Sequence, residues 1–451
     1  MSKDRLSLVS FVLLISMFSP ALRTAAQGVQ ETQPLGRAVY HGQKATLNHD
    51  GLLITLAKEV SNDPKLCQAD ASSSPPSCKI LVVKGMYDGQ PAFTMLASGE
   101  AEDTEGGNWA PAIALRHLDS ITTTPQIVLS FSSGGAHCCT SYQIATADSS
   151  GNWHVVDAGH RDGDGYGFLD LNHDGSSELV GHDDTFLYAF SSYADSFSPS
   201  LILKLEGLKL KDVTRDQRYH RFLLHELHQM EGLAVKYHNL NSNGYLAAWV
   251  SQKALLGQLD DAWHTMLASY DHSLDVMSSG GAAMECRVSE RVWEDAATPY
   301  RHCPLGQEYV IPFPEALTIF LTKNGYITPD QSRTLGYDVA QIEADRQTKM
   351  AAATAEYEQR KVNAWYGLTN YGTCILTKTP SSPAELVSFD RMNGLIDSVN
   401  VLKNDANGKP LVVRIGEPEG NGMENVYMFF RGQAECEAYR QHQQQQIENL
   451  K

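Results

Sequence analysis

The chain has 451 residues, with 36 Lys and Arg against 53 Asp and Glu, so its formal net charge is −17. Binding to nucleic acid requires basic side chains that neutralise phosphates, and this charge therefore argues against a nucleic-acid partner. Apolar residues make up 42% of the chain and charged residues 20%, which excludes disorder as its main state. At roughly 150 residues per domain, the length predicts two to four domains.

The N-terminal segment has the pattern of an export signal. Lys3 and Arg5 precede an apolar run over residues 8–18, and small residues follow at 24–26. We therefore predict a signal peptide over residues 1–26. The run is shorter than the ~20 apolar residues of a membrane helix, so we expect a periplasmic or secreted protein without a membrane span. The other interpretation of this segment is an N-terminal core helix.

The segment between residues 27 and 205 is predicted to be a β-rich domain. Short apolar runs at residues 80–83, 127–130 and 187–190 alternate with clusters of Gly, Asp, Ser and Pro, as strands alternate with turns. The pattern does not distinguish a sandwich from an incomplete propeller.

Residues 206–367 are predicted to be helical. Five apolar residues recur at the spacing of one buried helix face: Tyr219, Phe222, Leu223, Leu227 and Met230. Residues 244–270 form a predicted helical hairpin with Gly257 at its turn, and this turn resembles the hinge of a tetratricopeptide repeat. Further helices are predicted over residues 314–324 and 338–365.

Residues 368–451 are predicted to form a small α+β domain. Apolar runs at 399–402 and 411–415 flank an Asn-Gly loop at 404–409, and residues 426–430 supply a third strand. A Gln-rich helix over residues 434–450 completes the domain. The predicted fold class of the whole chain is therefore multidomain α+β.

Eight cysteines in an exported chain favour disulfides over catalysis or metal binding. Eight cysteines allow 105 different connectivities, so the pairing itself is not determined. Proximity in sequence groups Cys67 with Cys78, Cys286 with Cys303 and Cys374 with Cys436, and leaves Cys138 and Cys139 adjacent to one another.

The adjacent cysteines allow several interpretations. Cys138 and Cys139 could bond to each other as a vicinal disulfide, or separately to Cys67 and Cys78. With His137 and another histidine, such as His160 or His173, they could instead bind a soft metal. A nucleophilic thiol is a further alternative, but it needs a reduced state that export disfavours.

The segment 170–178, DLNHDGSSE, gives the clearest indication of a binding site in the sequence. Alternate acidic and amide side chains around a glycine turn provide the oxygen ligands that Ca²⁺ prefers. The loop is not an EF-hand, because the twelfth position from its start is Gly181 rather than Glu. In the metal-free alternative, the aspartates only form Asx turns. The predicted ligands are Asp170, Asn172, Asp174, the carbonyl of Ser176 and Glu178.

This segment resembles the calcium loop of FG-GAP and VCBS-type repeats, whose pattern it matches through Leu179 and Val180. The sequence at 132–140, SSGGAHCCT, together with residues 184–186 and 191–196, also resembles a bacterial family of exported, largely uncharacterised proteins. That family carries a Gly-Gly-Ala-His-Cys-Cys segment ahead of one such repeat. The resemblance covers roughly residues 110–215 and implies a β-fold and Ca²⁺, with no known activity.

Two classes of function follow from these patterns. The first is an exported, calcium-binding, non-enzymatic interaction or structural protein of the cell envelope, with another envelope protein or a glycan as partner. The second is an envelope hydrolase or redox protein that acts near Cys138 and Cys139. His225 and His228 lack the spacing of the H-E-x-x-H zinc motif and are expected to be surface residues.

Overall fold

A computed structural model of the chain describes most of the sequence, and the chain divides into two compact units. The first contains residues up to Thr185, Ser198–His238 and Leu255–Gln258, and the second contains Phe186–Phe197, Asn239–Ala254 and the residues from Leu259 onward. The predicted signal peptide lies outside the described residues. These are 31–63, 78–97, 110–132, 139–162, 165–275, 281–289, 292–293, 301–303, 307–361, 364–368, 374–376, 398–418 and 424–448.

The first unit contains three antiparallel sheets, each built around strands that follow one another along the chain. The sheet orders are β2-β3-β4-β5, β1-β6-β7-β8-β9 and β10-β11-β12-β13. Their strands are β1 Gly36–Val39, β2 Ala45–His49, β3 Leu52–Ser61, β4 Cys78–Tyr87, β5 Gln90–Ala97, β6 Ala112–Arg116, β7 Gln126–Ser132, β8 Thr140–Ala147, β9 Trp153–Arg161, β10 Gly167–Leu169, β11 Glu178–His182, β12 Ser200–Glu206 and β13 Lys209–Asp212.

The sheet β1-β6-β7-β8-β9, called the middle sheet below, packs one face against the first sheet and the opposite face against the third. On one face of this sheet, Ile113 and Leu129 join a core with Ile54 and other residues of the first sheet. On the opposite face, Ile144 joins a core with Leu179 of the third sheet. Because successive strand residues point to opposite faces, one sheet contributes to both cores.

The helices follow the β-rich part of the chain, as the change of apolar period predicts. Tyr219, Leu223, Leu227 and Met230 are buried, whereas Phe222 is only half-buried. The turn after the second helix contains Gly257, whose φ of +75° is the left-handed conformation that glycine adopts freely. The helices are α1 His220–Tyr237, α2 Asn243–Leu255, α3 Leu259–Ser269, α4 Phe313–Lys323, α5 Pro329–Thr334, α6 Val339–Lys361 and α7 Gln433–Glu448.

Two sequence-based assignments in this part of the chain are wrong. Residues 187–190 form a turn rather than a strand. Phe190 in this turn packs against Phe313 and Phe320 of α4, so its apolar character serves helix packing. The predicted helix 338–365 also ends early, because α6 stops at Lys361 and Trp365 lies in a strand.

The C-terminal strands form one five-stranded sheet, ordered β19-β18-β22-β21-β20. The predicted strands and the hairpin between 404 and 409 are present, and α7 covers the sheet, with Tyr439 against Phe430. β18, Trp365–Leu368, was not predicted, and it pairs with β22 although it begins before the predicted domain boundary at residue 368. The remaining strands are β14 Met284–Cys286, β15 Val292–Trp293, β16 Arg301–His302, β17 Glu308–Val310, β18 Trp365–Leu368, β19 Cys374–Leu376, β20 Ser398–Asn404, β21 Pro410–Pro418 and β22 Glu424–Arg431.

The predicted multidomain α+β class is confirmed by a strand-rich N-terminal part, helices in the middle and a C-terminal sheet. The boundaries drawn at 205 and 367 stay predictions. Among the residues that the structure describes, no helix is both long and apolar enough to cross a membrane.

Candidate cation site in the aspartate loop

The aspartate loop, residues 170–177, connects β10 to β11. The two strands pair in register, with Leu169 opposite Glu178, so the first and last predicted ligands lie at the base of one hairpin. Gly175 has a φ of +85°, a left-handed conformation that allows the sharp turn expected at this place in the motif. The glycine turn and the hairpin loop predicted from residues 170–178 are therefore both present.

Asp170 and Asn172 hold the loop backbone. The Asp170 carboxylate accepts the N–H groups of Asp174 and Gly175, each at 3.1 Å. The Asn172 side-chain oxygen accepts the same Asp174 N–H at 3.0 Å. These are Asx-type bonds, in which a short side chain replaces the missing backbone partners of a turn.

Asp174 points toward a lysine from a neighbouring strand. Its Oδ1 accepts the backbone N–H and the hydroxyl of Ser176, at 2.9 and 2.6 Å. Its Oδ2 contacts the Lys204 ammonium. Burial opposes ionisation of this carboxyl group, but Lys204 and Ser176 outweigh it and lower the pKa of Asp174 to about 2.

Glu178 is completely buried, and each of its oxygens has a donor. Oε2 accepts the Leu171 N–H at 2.9 Å, and Oε1 accepts the Tyr219 hydroxyl at 3.0 Å. The Lys204 Nζ lies 3.4 Å from the same Oε1. A buried carboxylate is stable only with such partners, and Glu178 has three.

Lys204 and Tyr219 are the two members of the site that the sequence analysis missed. Leu179 pairs with Leu203, so Glu178 and Lys204 are next to each other at the end of the β11–β12 ladder. Burial alone would lower the pKa of Lys204, but Asp174 and Glu178 raise it above its usual value. The available signal was a single lysine in the otherwise apolar run from Leu201 to Leu205.

Tyr219 reaches the site from the start of α1. It is fully buried, and it belongs to the helix face that the apolar period predicted. Burial and the Glu178 carboxylate raise the pKa of its hydroxyl, which therefore remains a hydrogen-bond donor. The periodicity marked Tyr219 as a core residue but could not show that its hydroxyl meets Glu178.

The oxygen donors of the loop fit a hard cation in their chemistry, but their arrangement already includes an ammonium group. Among the described residues, no group of three or more His, Cys, Asp and Glu side chains is arranged to hold a metal ion. Glu178 and Asp174 both contact Lys204 instead. Coordination of Ca²⁺ by these carboxylates would therefore require Lys204 to move away.

The second group of candidate residues is the cysteines. The structure contains the Cys286–Cys303 and Cys374–Cys436 disulfides, with Cα separations of 5.4 and 6.0 Å. Cys78 and Cys139 are also disulfide-bonded. A bonded Cys139 offers no thiolate for nucleophilic or metal chemistry. The other two cysteines, Cys67 and Cys138, and the predicted metal partner His137 lie outside the described residues.

Comparison with known proteins gives a family for the chain. Residues 223–325 match the family model described as the sll0997 C-terminal domain. The chain is 34% identical over 235 residues to "Uncharacterized protein y4bJ" of Sinorhizobium fredii, which is 52% of this chain and 35% of that protein. It thus spans about a third of the length of y4bJ. No solved structure matches the chain.

The chain is also 30% identical over 278 residues to the "Probable thylakoid lumen protein sll0997" of Synechocystis, which is 59% of this chain and 78% of that protein. A lumen is reached by export, in agreement with the signal peptide predicted over residues 1–26. The chain is an exported protein of the periplasm or the secreted fraction. It belongs to the family of the probable thylakoid lumen protein sll0997.

Proposed function

We propose that this protein is an exported, non-enzymatic component of the cell envelope that binds Ca²⁺ at its aspartate loop. In this proposal, the surfaces of its β-sheets and helices contact another envelope protein or a glycan. The resemblance of the loop to FG-GAP and VCBS-type repeats supports calcium as the ion. The observation that carries the proposal is the contact of one cation, the Lys204 ammonium, with both Asp174 and Glu178.

This contact supports a cation site because positive charge is already required there. Glu178 is fully buried, and an ionised carboxylate in that position is costly without a positive partner. Lys204 supplies one charge through a flexible stem that can withdraw. The residues that would hold Ca²⁺ are Asp170, Asn172, Asp174, the Ser176 carbonyl and Glu178.

A structural role is also supported by how the buried polar groups are used. Glu178 contacts both Lys204 and Tyr219 and so joins β11 to β12 and to the start of α1. Groups engaged in this way stabilise a scaffold and are not directed at a substrate. The disulfide at Cys139 likewise disfavours the alternative of a thiol enzyme.

Calorimetric titration of the purified exported protein with CaCl₂ tests the proposal. We expect binding on the order of 10⁻⁴ to 10⁻³ M, the range of extracellular calcium modules. Lys204→Met removes the competing ammonium and should tighten binding. Asp174→Asn removes a ligand charge and should abolish the heat.

Asp148→Asn is the matched control, because Asp148 also accepts backbone N–H groups in a turn, those of Ser150 and Asn152. It should bind Ca²⁺ as the wild type does. If neither the wild type nor Lys204→Met produces heat with CaCl₂, the loop is a lysine-bridged turn and the calcium proposal is wrong.

A further inference from the structure

A cavity of about 400 Å³ lies in the first unit, and none of its described lining residues belongs to the aspartate loop. Its floor is the face of the middle sheet that bears Ala112 and Ala114 on β6 and Ser130 on β7. The strand register places Ala112 opposite Ser130, so three small side chains are neighbours. A sheet face with small residues at its centre leaves a depression, because the surrounding side chains are larger.

Two arginines line this cavity. Arg37 lies opposite Ala114 on the neighbouring strand, and Arg116 follows two residues after Ala114 on the same face. Among the residues with a described position, the one acidic side chain in the cavity lining is Glu31, 3.5 Å from Arg116. In a chain with a net charge of −17, the cavity therefore carries an excess of positive charge.

The guanidinium of Arg116 is buried but incompletely paired. Only 8% of the residue is exposed, and within the described part of the chain its Nε has no hydrogen-bond partner. One terminal nitrogen donates to the Thr32 carbonyl at 2.6 Å. Burial and the charge of Arg37 lower the pKa of Arg116, whereas Glu31 raises it. Such a group favours an additional anion nearby.

The remaining walls combine rings and hydroxyl groups. Phe168 lies under the Arg116 guanidinium, which is 4.1 Å from the ring centre, and Tyr166 also lines the cavity. Ser130 and Thr140 bring hydroxyl groups to the lining. Rings that pack on an apolar face and hydroxyls that bind polar atoms suit a small, polar organic molecule.

We propose that this cavity binds a small carboxylate-bearing molecule of sugar-acid size, with its carboxylate paired to Arg37 and Arg116. Guanidinium groups bind carboxylates through two parallel hydrogen bonds, which gives both charge and geometry for recognition. The ligand could be a free acid or the terminal sugar acid of a glycan, because both present the same carboxylate. The proposal is independent of calcium binding.

Calorimetric titration of the purified exported protein with D-glucuronate, D-glucose and benzoate tests this site. We expect heat with glucuronate or with benzoate and none with glucose, which lacks the carboxylate. A uronate oligosaccharide as a further titrant distinguishes a glycan end from a free acid. Binding of glucose as strong as that of glucuronate, or no binding of either acid at 10-fold excess over a millimolar protein solution, would overturn the proposal.

Two variants locate the binding. Arg37→Gln changes an exposed residue at the cavity rim, so it should preserve folding and weaken binding at least tenfold. Ala114→Leu fills the floor without removing either charge and should abolish binding. Arg221→Gln removes an exposed arginine of α1 and serves as the control with unchanged affinity. Wild-type affinity in both cavity variants would show that the ligand binds elsewhere.

Discussion

The sheet β10–β13 and the C-terminal sheet both contain an aspartate-bearing hairpin loop, but each sheet is stabilised by a different kind of link. In the first, the loop joins a buried ionic group in which Lys204 contacts Asp174 and Glu178. In the second, Asp405 accepts the N–H groups of Asn407 and Lys409 at 2.8 Å, and the Cys374–Cys436 bridge joins β19 to α7. Similar turn chemistry thus becomes a candidate site only where tertiary contacts add a buried charge.

The largest expected effect is the loss of the covalent link. Replacement of Cys374 and Cys436 together by alanine opens a loop with a sequence separation of 62 residues. In the chain-entropy model, this should lower the free energy of unfolding of the C-terminal sheet by about 4 kcal/mol. Hydrogen exchange of the β21 and β22 amides measures the change, and β11 and β12 are the internal control. Unchanged protection of β21 and β22 would contradict this role of the bridge.

Loss of the contact between Lys204 and the two carboxylates should have the second-largest effect on stability. Lys204→Met keeps the apolar stem and leaves the buried Glu178 without its cation, which should cost about 3 kcal/mol of unfolding free energy. Hydrogen exchange of β11 and β12 at pH 7 in EDTA measures this loss. Addition of CaCl₂ should restore part of it, if the proposed calcium site is correct. Full wild-type protection in EDTA would show that the ammonium does not support the sheet.

A smaller loss is expected when one hydrogen bond to the same carboxylate is removed. Tyr219→Phe deletes the hydroxyl that donates to Glu178 at 3.0 Å and keeps the buried ring. A hydrogen bond to a charged group contributes about 2 kcal/mol, so the urea midpoint of the first unit should fall accordingly. Tyr237→Phe, at the exposed C-terminal end of α1, is the matched control and should leave the midpoint unchanged.

The smallest effect should come from the C-terminal hairpin loop. The Lys409 backbone N–H lowers the pKa of Asp405 below its ordinary value of 3.8. A carboxyl group with a lowered folded-state pKa stabilises the fold above that ordinary value and loses the contribution as the pH falls. The wild type should therefore lose slightly more stability below pH 3.8 than Asp405→Asn does. The urea midpoints of both proteins, measured at a series of decreasing pH values, would show this difference. Parallel curves would exclude the contribution.

The aspartate loop shows how far sequence patterns reach into a site. The spacing from Asp170 to Glu178 predicted a glycine turn on a β-hairpin, and the structure has both. Lys204 and Tyr219 could not be predicted as partners, because they are 26 and 41 residues from Glu178 in sequence. Their meeting depends on the strand register and on where α1 begins.

The failed assignments have a related cause. Residues 187–190 have the composition of a strand, but they form a turn, in which the Phe190 ring packs against α4. Trp365 follows a long helical pattern, yet β18 pairs with β22. Short apolar runs indicate burial without specifying the backbone, since the same side chains can be buried in a turn, a strand or a helix.

The sequence by itself determined the properties that depend on local order or composition. These are the succession of strands and helices and the turns at Gly175 and Gly257. The export signal over residues 1–26 stays a prediction. The tertiary structure decided which charges meet, namely Lys204 with Asp174 and Glu178, and which small residues share one sheet face beside Arg116. Local preferences act over a few residues along the chain, whereas buried ion pairs and cavities depend on strand register and packing between distant segments.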